Sequence, residues 1–332
     1  MTTQWLRESL NQLPEVDATS QQAVRARANN ILRPAGALQK LDDVAIWMAG
    51  WQATNQPKVS CPVAIVFAAD HGVATSNLVS AYPADVTAAM LKAYQSGKST
   101  LSAFAKIAGA TVLAVDVGVG KPTQDIQVEA AMSEQRFDEA LSAGRKAVEQ
   151  IDADLLVIGE MGIGNTTVAA AITAALLGGE PSSWVGRGTG VDQQGYERKC
   201  LAVDRAVTRV KEISDPIEIL RQVGGMEIAA MSAAIVAARI RRLPVVIDGF
   251  VVTSAALPLH QVSKDALDHC VFSHCSAEYG HRKVLEHLNK PYLLDLNMRL
   301  GEGSGAMAAV PLIAMACAGV TEVPTFQEWF GS

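Results

Sequence analysis

A short β-branched run, a turn carrying Gly or Asp, and then an alanine-rich helical stretch: this unit recurs along the chain and restricts it to one architecture. Val63–Phe67 leads into Ala68-Ala-Asp-His-Gly72, and Thr111–Val115 into Asp116-Val-Gly-Val-Gly120. Leu155–Ile158 leads into Gly159-Glu-Met-Gly-Ile-Gly-Asn-Thr-Thr167. Val245–Ile247 precedes Asp248-Gly-Phe250, and Tyr292–Leu296 precedes Asn297-Met-Arg-Leu-Gly-Glu302. Strands that are apolar throughout and alternate with helices are covered on both faces, which predicts a parallel sheet. The expected fold class is α/β, a three-layer Rossmann-like sheet with helices on both faces.

In such sheets ligands bind beyond the carboxyl ends of the strands. The polar turns gather at those ends, with Asp70, His71, Asp116, Glu160, Asp248 and Glu302. This points to a small-molecule enzyme or receptor rather than a scaffold.

Residues 1–60 read differently, as amphipathic helices with more charge and no strands. Pro34-Ala-Gly36 breaks the chain before a helix expected from Ala37 to Gln52. A small helical domain is therefore expected over 1–60, joined by part of the C-terminal tail, with a catalytic α/β domain over 61–320.

A net charge of −6 leaves no basic stripe to neutralise nucleic-acid phosphates. The uncharged stretch Gly303–Thr321 contains Pro311 and many small residues, and reads as a buried core helix rather than a membrane span. The first residues, Met1-Thr-Thr-Gln-Trp-Leu-Arg-Glu8, lack the basic-then-apolar order of a signal peptide, so a cytoplasmic protein is expected. Five scattered cysteines form no disulfide framework. The cluster His269-Cys-Val-Phe-Ser-His-Cys275 has Cys-x4-Cys spacing and no second pair, so buried thiols with ligand-facing histidines are expected instead of zinc.

Gly159–Thr167, followed by an apolar helix, has the order strand, glycine-rich turn, helix. Gly162 and Gly164 free backbone N–H groups to face an anion, and Asn165, Thr166 and Thr167 add donors at the positive end of the helix. The spacing matches neither the NTPase nor the dinucleotide pattern, so a monophosphate is the expected ligand. Gly186-Arg-Gly-Thr-Gly-Val-Asp192 could wrap the same phosphate or a ribose, or be a loop only. Asp70, His71, His274 and His281 suit pocket shaping better than a catalytic dyad, because no nucleophile elbow accompanies them. Glu302 stands between Gly301 and Gly303 before an apolar run. It can serve as a general base with a tuned pKa, or simply favour a helix N-terminus.

Together, Ala35-Gly-Ala-Leu38, Phe67–Val73, Val79-Ser-Ala-Tyr-Pro83, Gly159–Thr167, Gly188-Thr-Gly190, Asp248-Gly-Phe250, His274–Glu278 with Gly280-His281, and Met298–Ala306 resemble the nicotinate-nucleotide:dimethylbenzimidazole phosphoribosyltransferase family. The likeness runs in order from about residue 30 to 320. Ala37-Leu-Gln-Lys40 departs from the family's usual Ser-Leu-Gly-Arg.

The resemblance implies transfer of phosphoribose from nicotinate mononucleotide to 5,6-dimethylbenzimidazole or a related base in cobalamin synthesis. The glycosidic bond inverts, giving α-ribazole 5′-phosphate and nicotinate. A homodimer without metal or cofactor is implied, with no nucleic-acid or membrane partner. Glu302 matches the family's general base and Glu160 a second acid near the ribose. Gly162, Gly164, Asn165, Thr166, Gly188, Thr189 and Gly190 would take the phosphate and ribose. Ser80, Tyr82, Met161, Met298 and Leu300 would wall the base pocket. Purine or phenolic acceptors on the same fold, a magnesium- and diphosphate-dependent transferase, and a non-catalytic nucleotide sensor are the competing readings.

Overall fold

The computed structural model describes residues 2–331. Its centre is a sheet of parallel strands: β1 (Pro62–Ala69), β2 (Thr111–Gly118), β3 (Leu155–Met161), β4 (Val245–Ile247), β5 (Cys270–His274) and β6 (Tyr292–Leu294). They lie in the order β2-β1-β3-β4-β5-β6, with β1 against β3 in register Val66 to Gly159 and Phe67 to Glu160. The chain thus starts in mid-sheet, winds to one edge, and returns to build the other half. That reversal places the ends of β1, β3 and β4 side by side beneath a crevice.

Strand β1 shows why the sheet is buried. Val63, Ile65, Phe67 and Ala69 face one core, while Ala64, Val66 and Ala68 face the other. Helices Glu134–Glu149, Asn165–Leu177, Met226–Ile240 and Phe250–Val262 cover the first face. Helices Gln39–Gln52, Val86–Gln95, Thr100–Ala108 and Ser304–Thr321 cover the second. The helix Ser304–Thr321 is long and apolar enough to cross a membrane by composition, and here Ala306, Val310 and Ile313 pack on the sheet.

The N-terminal helices divide between the layers. Leu6 and Leu10 of the helix Thr2–Leu10 join the first core beside Phe137 and Leu141. Val24, Ala28, Ala45, Ile46 and Ala49 form a small core of their own, closed by Val320 from the end of Ser304–Thr321.

Several boundaries differ from the sequence expectation. The His/Cys cluster forms strand β5, a sixth strand hidden because Cys270, Ser273 and His274 are not β-branched residues. Strand β2 runs through Asp116 to Gly118, and β6 ends at Leu294 rather than Leu296. The helix expected from Ala37 begins at Gln39, where Leu38 occupies the N-cap without a side-chain bond.

Candidate active site

Strand β3 delivers Glu160 and then turns through Gly162-Ile-Gly164 into the helix Asn165–Leu177. Gly164 caps that helix with φ of 91°, a left-handed conformation available to glycine at little cost. Gly162 is pressed onto its neighbours, since a Cβ there would lie 2.7 Å from His71 Nε2 and 2.8 Å from the Ala69 carbonyl oxygen. The turn therefore presents backbone N–H groups at the positive end of a helix.

Cations gather at the same end. Lys199 reaches in from the helix Gln193–Val210 and donates to Thr166 Oγ1 at 2.8 Å. Burial brings its ammonium down to about 8, opposed by the carboxylate of Glu278. Arg299 Nη1 donates to the Gly188 carbonyl at 3.1 Å, and Arg187 lines the cavity nearby. Burial raises Glu278, with Lys199 and Arg299 pulling the other way. This end of the crevice is built for an anion.

The same cavity also carries acids. Gly301, Glu302 and Gly303 have φ of 79°, 65° and 82° in succession. A non-glycine residue in this region costs about 1–2 kcal/mol, so the surrounding bonds must hold Glu302 there. Its N–H donates to Glu160 Oε1 at 3.4 Å. Asp248 accepts from Gly303 N at 3.1 Å and Ala306 N at 2.8 Å, tying the loop to the helix Ser304–Thr321. The main chain of Glu302 lies directly on Gly159, where a Cβ would sit 2.5 Å from the Glu302 carbonyl oxygen.

Burial pushes the Glu302 carboxyl up; the Tyr94 hydroxyl opposes this and Asp248 adds to it. Glu160 is raised well above the usual carboxylate range by burial first, then by Asp248 and Glu227, while the Asn165 amide, which donates to it, works against the shift. A base with a raised pKa lies closer to neutrality, where proton abstraction is most effective.

The cavity that holds these groups has a volume of about 680 Å³ and is also walled by Val79, Val86, Met90, Met161, Phe250 and Leu300. Such a size and apolar lining suit a small ligand held by a few polar groups.

The phosphoribosyltransferase family model matches residues 13–329. The chain belongs to the phosphoribosyltransferase family. Proteins named nicotinate-nucleotide--dimethylbenzimidazole phosphoribosyltransferase are its relatives in Cereibacter sphaeroides and Methylocella silvestris, each 45% identical. The first match covers 95% of this chain and 93% of the relative, and the second 97% and 94%. The crystal structure of CobT from Thermus thermophilus is similar with a TM-score of 0.89 at 39% identity, covering 93% of this chain and 98% of that one.

In this phosphoribosyltransferase the cavity brings together Ser80, Tyr82, Glu160, Met161, Gly162, Gly164, Asn165, Thr166, Gly188, Thr189, Leu300 and Glu302. Two expected residues lie outside its lining. Gly190 closes a turn by donating its N–H to Arg187 O at 3.0 Å, and Met298 pins its loop by accepting from Ala277 N at 2.8 Å. Both are held by their backbones, a role that motif matching does not separate from ligand contact.

The flanking polar groups divide. His274 lines the cavity. His281 Nδ1 accepts from Ser276 N at 2.9 Å and its Nε2 pairs with the Thr253 hydroxyl at 3.0 Å, so it braces the loop after β5. Asp70 accepts from Gly120 N at 2.7 Å, and exposed Asp116 accepts from Gly118 N and Val119 N, each stabilising a turn. Among the described residues no group of His, Cys, Asp and Glu is arranged to hold a metal ion. Sequence reasoning missed Lys199, Arg299, Tyr94 and the bracing role of Asp248. Lys199 had a signal, because it shares the buried face of its helix with Gly195, Ala202, Val203 and Ala206.

Proposed function

We propose that this chain transfers the 5-phosphoribosyl group of nicotinate mononucleotide to 5,6-dimethylbenzimidazole, giving α-ribazole 5′-phosphate and nicotinate. The observation that carries the reading is one cavity that joins the helix N-terminus at Asn165 and Thr166, with Lys199, to the carboxylates of Glu160 and Glu302. A zwitterionic nucleotide fits that combination of charges. Its phosphate meets the turn Gly162–Thr166 and Lys199, while its ribose and cationic pyridinium lie toward the acids.

The acceptor azole attacks C1′ with a ring-nitrogen lone pair from the face opposite the leaving group. The C1′–N bond to nicotinate breaks, and its electron pair neutralises the pyridinium nitrogen. Departure therefore needs little acid help. The acceptor's remaining N–H must be lost, and Glu302 takes that proton. Such placed proton transfer is worth about 10²–10⁴-fold. Positive charge growing at C1′ draws Glu160 towards ionisation, and the ionised carboxylate stabilises it. Val86, Met90, Met161 and Leu300 supply apolar walls for a flat aromatic acceptor.

Incubating the purified protein with nicotinate mononucleotide and a panel of benzimidazole, purine and phenolic acceptors tests the reading. Formation of α-ribazole 5′-phosphate with release of nicotinate is expected. Binding of the nucleotide without turnover for any acceptor would leave a sensor instead. A homodimer in the cytoplasm belongs to the same proposal; light scattering on the eluted protein checks the dimer, and a monomer at assay concentration removes it.

A further inference from the structure

We propose that the buried pair His71–Glu227 positions the phosphate turn, so that both residues govern nucleotide binding without touching the substrate. The proposal rests on the phosphoribosyl-transfer reading above. His71 follows β1, and Glu227 stands in the first turn of the helix Met226–Ile240. Their Nε2 and Oε1 atoms are 2.7 Å apart, with both side chains fully buried. Neither lines the cavity.

One hydrogen bond joins His71 Nε2 to Glu227 Oε1. His71 Nδ1 and Glu227 Oε2 have no partner among the described residues. The pair is therefore held by its single mutual bond and by the walls around it.

Those walls are the turns themselves. A Cβ on Gly162 would lie 2.7 Å from His71 Nε2, and one on Gly225 would lie 2.3 Å from His71 Cε1. The imidazole is thus the floor on which the Gly162 turn rests. Gly162 in turn accepts from Asn165 N at 3.0 Å, the bond that opens the phosphate-facing helix. Moving the ring moves the N–H groups aimed at the anion. Glu227 also contributes, after burial and Asp248, to raising Glu160 on the same segment. A buried polar pair stabilises a fold no better than apolar residues of equal volume, whereas a directed hydrogen bond sets geometry.

The test is steady-state kinetics on His71→Asn and His71→Gln, with calorimetry of inorganic phosphate binding. A glutamine amide nitrogen reaches the place of Nε2, and that of asparagine falls short. For His71→Asn the KM for nicotinate mononucleotide and the Kd for phosphate should rise at least ~10-fold, about 1.4 kcal/mol. The KM for dimethylbenzimidazole should stay within ~2-fold, and His71→Gln should restore most of the loss. An unchanged nucleotide KM, or equal rises for both substrates, would overturn the role. Should His71→Asn not fold, Glu227→Met deletes the acceptor oxygen at similar bulk, and the same selective rise is expected of it. Absence of transfer by the unaltered protein would sink the parent reading alone, because phosphate calorimetry still reads the turn.

Discussion

The backbone N–H of Glu302 points at the carboxylate of Glu160, 3.4 Å away across 142 residues of sequence. Two acids from different strand ends are thereby locked to one another, each through a glycine that leaves room: Gly159 under the Glu302 carbonyl and Gly301 beside Glu160 Oε1. Position and charge state are coupled in this arrangement.

Glu302→Gln keeps the shape of the side chain and removes its basicity. Turnover should fall at least ~100-fold, while the Kd for nicotinate mononucleotide stays within about threefold. Single-turnover kinetics and calorimetry check this, and undiminished turnover would remove the general base from Glu302.

Gly159→Ala places a methyl group 2.5 Å from the Glu302 carbonyl oxygen, a backbone atom that cannot step aside cheaply. Overpacking of this kind costs about 1–3 kcal/mol. Denaturant midpoints should drop accordingly, and the displaced base should reduce kcat with little change in nucleotide affinity. A variant as active and stable as the parent would show that the loop has other ways to pack.

Lys199→Met preserves bulk and deletes the cation. A hydrogen bond to a charged group contributes about 1.5–3 kcal/mol, so the nucleotide KM should rise about 10- to 150-fold with the acceptor KM unmoved. Because burial holds Lys199 down to about 8, nucleotide affinity should also weaken as pH rises through that value. A pH-independent Kd between 7 and 9 would contradict the phosphate assignment.

Glu160 carries a stability signature. Its native pKa is raised well above the ordinary value of 4.5, mainly by burial. The folded state thus binds the proton more tightly than the unfolded chain, and stability falls as pH rises from the unfolded value through the native one. Glu160→Gln cannot lose a proton, so its melting temperature relative to the parent should climb between pH 5 and pH 8. A pH-independent difference would mean that the carboxyl is not titrating there.

The kinetic profile follows the same sign. Glu302 must be ionised to act, and burial raises it. The acidic limb of kcat/KM should therefore lie above the ordinary glutamate value of 4.5.

Much of this was legible in the chain. Val63–Phe67 and Leu155–Ile158 are strands because apolar β-branched runs have few other uses, and Gly162 to Thr166 announces an anion turn by composition. Other parts were not. His274 sits on a strand in which only Val271 and Phe272 favour that conformation, and Arg299 reaches the Gly188 carbonyl across 111 positions.

Local chemistry alone determined the layers and the glycine turns, along with the identity of the acid between Gly301 and Gly303, because each depends on neighbours within a few residues. The raised carboxyls, the depressed Lys199 and the seating of His71 under Gly162 were decided only by the assembled sheet. Those properties arise from desolvation and from charges brought close by folding, and no short window of sequence contains both partners.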